Sequence, residues 1–317
     1  MNLRLDQKVI IQGITATIEQ YYSSPMQAYG TKIVAGISST YERKSHHEIP
    51  IFDLVEQAVE VVGKIDTSII FSNPYQVKDA ALEAIAAGIR QIIIVTRGIP
   101  PLDMVSLSIK AKATNTLILG PGSGGIIIPD QVLLGTSEAH FYTPGKIAIL
   151  SRSHGLSHEI ALCLTKAGMG QSVVVNLGSE EIITSSFEQW LYQLEQDITT
   201  EAIVLVGQSH GNKEELAAKY ISAAITKPVV AYVAGNQLPI VSHYTNQGDL
   251  AISCQPLGFI PQMETVQSKI AALEEANIPV AKSCCQIPAL VKQVLHKQKS
   301  QYHSLNGKDI VTENMLN

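Results

Sequence analysis

Aromatic residues are scarce in this chain of 317: Phe, Tyr and Trp together make up 5%, with a single Trp. Set beside 45% hydrophobic residues, that scarcity fits a soluble α/β protein whose core is Val, Ile and Ala. Clustered positive charge is also missing. The formal net charge is −5 and Lys and Arg are scattered, so nucleic-acid binding has no electrostatic footprint. Long apolar runs are absent too: "QIIIV" and "EAIVLVG" fall far short of the ~20 residues a membrane span needs. The start "MNLRLDQKVIIQG" runs directly into a strand pattern, without a signal-peptide signature. Four cysteines, Cys163, Cys254, Cys284 and Cys285, show no metal-ligand spacing, and adjacent cysteines such as Cys284 and Cys285 rarely bond to each other. Reduced thiols in a cytoplasm are the expectation, with no metal site.

Short β-branched runs alternate with helical patterns instead. "KVIIQ" (8–12), "KIVAGI" (32–37), "SIIFS" (68–72), "QIIIV" (91–95) and "TLILG" (116–120) read as buried strands. Between them "DLVEQAVEVVG" and "VKDAALEAIAAGI" carry helical apolar spacing and close at Gly63 and Gly88. Strand–helix–strand repetition implies parallel sheets with right-handed crossovers, and ligands beyond the carboxyl ends of the strands. At Pro144–Gly145 a second series begins: "KIAILS", "SVVVNLG", "EAIVLVGQ", "KPVVAYVAG" and "NIPVAKS". A length prior of roughly 150 residues per domain agrees with two α/β domains. The expected boundaries are 1–144, 145–296 and a polar, mobile tail at 297–317.

Several segments in order then resemble one family. "AYGTKIVAGI", "VKDAALEAIAAGIRQIIIVTRGIPPLDM", "PGKIAILSRS", "TEAIVLVG" and "TKPVVAYVAG" are similar to the α subunit of succinyl-CoA synthetase, with "KIAALEEANIPV" matching further on. The resemblance implies an N-terminal Rossmann-like, CoA-binding-type domain followed by a flavodoxin-like doubly wound domain. It implies a β subunit with an ATP-grasp fold that brings ATP and Mg²⁺. It also implies a histidine that is phosphorylated, an acyl phosphate, and attack on it by the CoA thiol.

The motif residues have to be compared one by one. The family's first βα turn resembles Q-G-x-T-G-x-Q-G, whose glycines admit CoA phosphates. Here "QGITATIEQ" keeps Gln12, Gly13 and Thr15 but has Ala16, Ile18 and Glu19. A carboxylate in that turn would repel a pyrophosphate. The family's CoA-contacting lysine becomes Tyr41, followed by Glu42; Arg43 and Lys44 read as phosphate contacts or as a solvated loop. "TRGIPP" keeps Thr96 and places Arg97 where the family has a glutamate. "GPGSGGIIIP" keeps Gly120, Pro121, Gly125 and Pro129 of a family loop, and Gly122, Ser123 and Gly124 depart from it. Extra glycines loosen such a loop by roughly 0.5–1 kcal/mol each in ordering entropy. A turn between domains is the plain alternative to a ligand cradle.

In the second half, "SRSHGLSHE" keeps Ser151, Arg152 and Ser153 but has His154 for a glycine and His158 for a tyrosine associated with the acid substrate. "NLGSEEI" keeps Gly178 and adds Ser179, Glu180 and Glu181 where a phosphoryl group would sit. Gln208 occupies the position of the glutamate that stabilises the active histidine, and gap-free counting puts Asn246 on the histidine itself. Asn forms no stable N–P bond. His243, three residues earlier, is the substitute candidate; His154, His158 and His210 are the other imidazoles near the reaction zone. Three readings stay open. One is a non-catalytic or repurposed subunit of a β-like ATP-grasp chain, or a self-associating one. The others are a two-chain ATP-dependent acid ligase, with CoA or an amine as acceptor, and an ordinary succinate–CoA ligase subunit using His243.

Overall fold

The structure, a computed structural model, describes residues 7–38, 49–209, 211–235 and 266–313, with side chains through residue 300. Its first sheet is made by β1 (Lys8–Gln12), β2 (Lys32–Ile37), β3 (Ile51–Phe52), β4 (Thr67–Ile70), β5 (Gln91–Ile94) and β6 (Leu117–Leu119). All pairs are parallel, in the order β3-β2-β1-β4-β5-β6. That is the Rossmann order, with its switch point between β1 and β4. Successive strand residues serve opposite faces. Ile10, Ile70, Ile92 and Ile94 pack in one core with α3 (Val55–Val62), α4 (Val77–Ala86) and α5 (Pro101–Ala113). Val9, Ile11, Ile69 and Ile93 face the other way, into a core continuous with that of the second domain. Ahead of these helices lie α1 (Ala16–Ile18), a π-helical turn at Glu19–Ser23, and α2 (Ser24–Ala28).

The second sheet contains β7 (Gly125–Ile128), β8 (Val132–Gly135), β9 (Pro144–Ser151), β10 (Gln171–Asn176), β11 (Ala202–Gly207), β12 (Val229–Val233) and β13 (Val280–Ala281). Its order is β13-β12-β11-β9-β10-β7-β8. The parallel part, counted from β9, has the flavodoxin-like order 2-1-3-4-5, with its switch point between β9 and β11. Residues 120–135 did not read as strands, and the expected first domain ran to 144. Yet β7 pairs antiparallel with β10 and β8 with β7, so this hairpin extends the second sheet. Thr31, just before β2, donates its hydroxyl to the Leu133 carbonyl at 2.5 Å and fastens the hairpin to the first domain.

Helices α6 (His154–Lys166), α7 (Phe187–Gln196), α8 (Lys213–Ala224), α9 (Val266–Glu275) and α10 (Ile287–Glu313) complete the second domain. Ser186 and Gln189 cap α7 reciprocally, and Phe187, Trp190, Leu191 and Leu194 are all buried, so that stripe is core. The expected polar tail from 297 continues α10 as helix to Glu313. Ile287 and Val291 bury the first turn, and once a helix is nucleated each further residue adds a hydrogen bond. Among the described residues no helix is long and apolar enough to cross a membrane.

Candidate functional site

At the first switch point, Gln12 is consumed by the fold. Its amide donates to the Ala80 carbonyl at 3.0 Å and accepts from the Ser68 hydroxyl at 2.7 Å. Gly13 has φ +78°, and a Cβ there would lie 2.6 Å from the Ser72 backbone nitrogen, so close chain packing explains the glycine. Thr15 caps α1, accepting from the Ile18 N–H at 3.3 Å. Phe71 follows β4 directly, its N–H donating to the Gln12 carbonyl, and its ring stacks on Tyr22 with centroids 5.3 Å apart. The crevice end thus holds an aromatic pair and a three-residue helix, with Glu19 next in the chain.

Between the domains lies a cavity of about 640 Å³. Tyr21, Tyr22 and the exposed Arg97 line it from the first domain; Glu138, His140, His154 and His158 line it from the second. Thr96 faces inward, donating to the Ser72 carbonyl at 2.8 Å. Ser153 caps α6 through the Leu156 N–H, which sets the following histidines one turn apart on one face. Their Nε2 atoms approach to 3.0 Å, one donating to the other. His158 also stacks on Phe141, with centroids 5.0 Å apart. Burial, then the His158 and Arg97 charges, pushes the His154 pKa down to about 4, against the pull of Glu138. Burial and then His140 lower His158. Both rings are therefore neutral near pH 7.

The glycine run has a packing role that composition alone does not show. A Cβ on Gly124 would meet His154 Nδ1 at 2.7 Å, and one on Gly122 would meet Ser179 Oγ at 2.5 Å. Gly178, with φ +119°, passes 2.4 Å (Cβ position) from the Pro121 carbonyl, and the Gly120 N–H donates to the Leu177 carbonyl at 2.9 Å. These glycines let the two loops and the His154 ring share one small volume.

Arg152, kept with Ser151 and Ser153 in the family's motif, has a fully buried side chain. Its guanidinium lies 3.7 Å from the Glu214 carboxylate and donates to the Glu180 carbonyl at 2.8 Å. Glu214 also takes a 2.7 Å contact from Lys269, equally buried. Gln208 sits on this cluster: its N–H donates to Glu214 at 2.9 Å, its carbonyl accepts from Lys269 at 2.8 Å, and its amide donates to the Arg152 carbonyl. Gln208 Oε1 is buried without a hydrogen-bond partner among the described residues. Ser151 folds back on Ser153, donating to its carbonyl at 2.7 Å.

Comparison with known proteins agrees with this architecture. Residues 5–98 match the family model of the CoA binding domain, and residues 144–246 that of the succinyl-CoA ligase like flavodoxin domain. The succinate–CoA ligase [ADP-forming] subunit alpha 2 of Archaeoglobus fulgidus is 38% identical over 91% of this chain and 97% of its own. The chain belongs to the succinate–CoA ligase alpha-subunit family. Another similar relative is the malate–CoA ligase subunit alpha of Methylorubrum extorquens, 36% identical over 75% of this chain and 82% of that one. ATP citrate lyase from Methanothrix soehngenii shares the fold, with a TM-score of 0.79 at 18% identity over 95% of this chain. The chain spans about half, 51%, of that lyase.

Within this succinate–CoA ligase-type alpha subunit, Arg97, His154 and His158 come together, whereas Gly13, Thr15, Gln12 and Arg152 serve the scaffold. Tyr41, His210, His243 and Asn246 lie outside the described residues. Sequence reasoning missed Glu214 and Lys269, which sit in "NKEEL" and "SKIAAL", ordinary amphipathic text. The available signal was indirect: an arginine beside a buried strand requires a carboxylate partner. Among the described residues no group of three or more His, Cys, Asp or Glu side chains could hold a metal ion.

Proposed function

We propose that the chain is a repurposed alpha-type subunit that pairs with a beta-like ATP-grasp chain and carries no phosphohistidine. The observation that carries this reading is Gln208. Its amide is committed to the Arg152 carbonyl above a cluster where Glu214 supplies the carboxylate against two cations. A neutral amide hydrogen-bonds an imidazole but does not stabilise its cationic form. Asn246 at the histidine's position points the same way. The reading includes weak or absent CoA binding: Ala16, Ile18 and Glu19 replace residues of the family's first βα turn, and Tyr22 stacks on Phe71.

The test is co-expression with each beta-like protein of its own genome, followed by incubation with labelled ATP and Mg²⁺. A stable heteromer without acid-labile, base-stable label is expected. Stoichiometric label that disappears in His243→Ala overturns the reading and makes His243 the phosphoryl acceptor. Failure to bind any beta-like chain removes the pairing itself.

A second reading is favoured by the cavity. Arg97 and two neutral imidazoles from different domains suit a carboxylic acid, which the partner would activate directly as an acyl phosphate for CoA or an amine. Hydroxylamine trapping with a panel of mono- and dicarboxylates distinguishes the two: hydroxamate formed by the heteromer, and lost in Arg97→Ala, supports the ligase. Its absence across the panel leaves the non-catalytic subunit.

A further inference from the structure

We propose that Cys163 and Cys285 form a reversible thiol–disulfide site whose co-reactant is a low-molecular-weight disulfide such as oxidised glutathione. The two residues are separated by 122 positions, yet their sulfur atoms lie 3.8 Å apart. That is contact distance, against about 2.05 Å in the bonded state. Closure therefore needs less than 2 Å of travel, shared between two χ1 torsions. Cys163 projects from the C-terminal half of α6, and Cys285 lies in the 3-10 turn Cys284–Gln286 that leads into α10. A turn of three residues accommodates such a rotation more readily than a packed strand.

Access favours this pair over the neighbouring thiol. Cys285 is exposed and Cys163 half-exposed, so a small disulfide reaches both, whereas Cys284 is buried. Burial and then the Glu159 carboxylate hold the Cys284 thiol up to about 12, which keeps it inert. Burial, then the contact with Cys285, also pushes the Cys163 thiol up to about 11; Glu159 raises it further and Lys166 opposes. Cys285, the more exposed of the two, is the sulfur that reacts first. Its thiolate attacks one sulfur of the small disulfide, forming a mixed disulfide and expelling one small thiolate. Cys163 then loses its proton to solvent and attacks the Cys285 sulfur, expelling the second. Two protein thiols are oxidised and one small disulfide is reduced to two thiols. The bond would clamp α6, whose first two turns carry His154 and His158, to the start of α10.

The experiment uses the full chain, treated with oxidised glutathione and then alkylated, digested and mapped. The expected product is a cross-linked pair of peptides containing Cys163 and Cys285, two hydrogens lighter than the reduced pair and restored by dithiothreitol. Cys163→Ser should stop at the mixed disulfide on Cys285, and Cys285→Ser should leave Cys163 largely unreacted. Thermal unfolding gives an independent readout. The oxidised chain should unfold at a higher temperature than the reduced one, and oxidant should not raise the unfolding temperature of Cys163→Ser. A parent chain that halts at the mixed disulfide, a bond that maps to Cys254 or Cys284, or an unchanged or lower unfolding temperature would each overturn the proposal.

Discussion

Replacing Glu214 with Gln should be among the most damaging single-atom changes in the second domain. The carboxylate lies 2.7 Å from the Lys269 ammonium and 3.7 Å from the Arg152 guanidinium, with all three side chains fully buried. At an effective dielectric of about 20, those separations correspond to gross attractions of about 6 and about 4.5 kcal/mol. Desolvation offsets most of that while the cluster is whole. Once the carboxylate is neutral, both buried cations lose the charge they share, and breaking such a pair costs about 3–5 kcal/mol. Against a typical total of about 5–15 kcal/mol, that is a large fraction of stability. Lys269→Met should cost less, because Glu214 keeps Arg152 and the Gln208 N–H. The double variant should lose less than the two single losses combined, by about 1 kcal/mol or more. Urea unfolding followed by the single tryptophan suits the measurement, since Trp190 lies in the core of that domain. A Glu214→Gln loss under about 1 kcal/mol, or a larger loss in Lys269→Met, would refute the reasoning.

Three further outcomes can be measured. As pH falls, the unfolded chain protonates at His154 near its ordinary value, while the folded chain waits until about 4. Its contribution is thus present above pH 6.5 and lost progressively between there and pH 4, by about 1–2 kcal/mol after allowing for partial exposure. Urea midpoints at pH 7 and 4.5 should differ less in His154→Asn, and an unchanged difference would refute the assignment. Gly125→Ala places a Cβ 1.7 Å from the Leu134 carbonyl at φ +87° and should cost over about 2 kcal/mol. Gly88→Ala, with similar φ but open space, should cost about 1 kcal/mol, and equal losses in thermal melts would show that φ alone decides. CoA titrated calorimetrically should bind more weakly than micromolar; a micromolar constant, worth about −8 kcal/mol, would show that Glu19 does not exclude the pyrophosphate.

Much of the architecture was determined by local text. The alternation in "KVIIQ" and "QIIIV" assigns Val9, Ile11 and Ile93 to one face and Ile10, Ile92 and Ile94 to the other, which the two cores reproduce. The two strand series and the family were equally legible, because each depends on residue type at a position. Tertiary structure alone decided who meets whom. "GPGSGGIIIP" carries no sign that its isoleucines will pair antiparallel with β10, nor that Gly124 is small to admit His154. Arg152 stands between two serines of a ligand-type motif, yet it turns inward toward the buried Glu214 carboxylate, 62 positions later by residue number, which also holds the Lys269 ammonium. Cys163 and Cys285 likewise become neighbours only when α6 packs on the start of α10. Periodicity encodes which face of an element is apolar, and that is a local property. The partner of a buried charge, a glycine or a thiol is set by contacts between distant segments, which form only when the sheets close on one another.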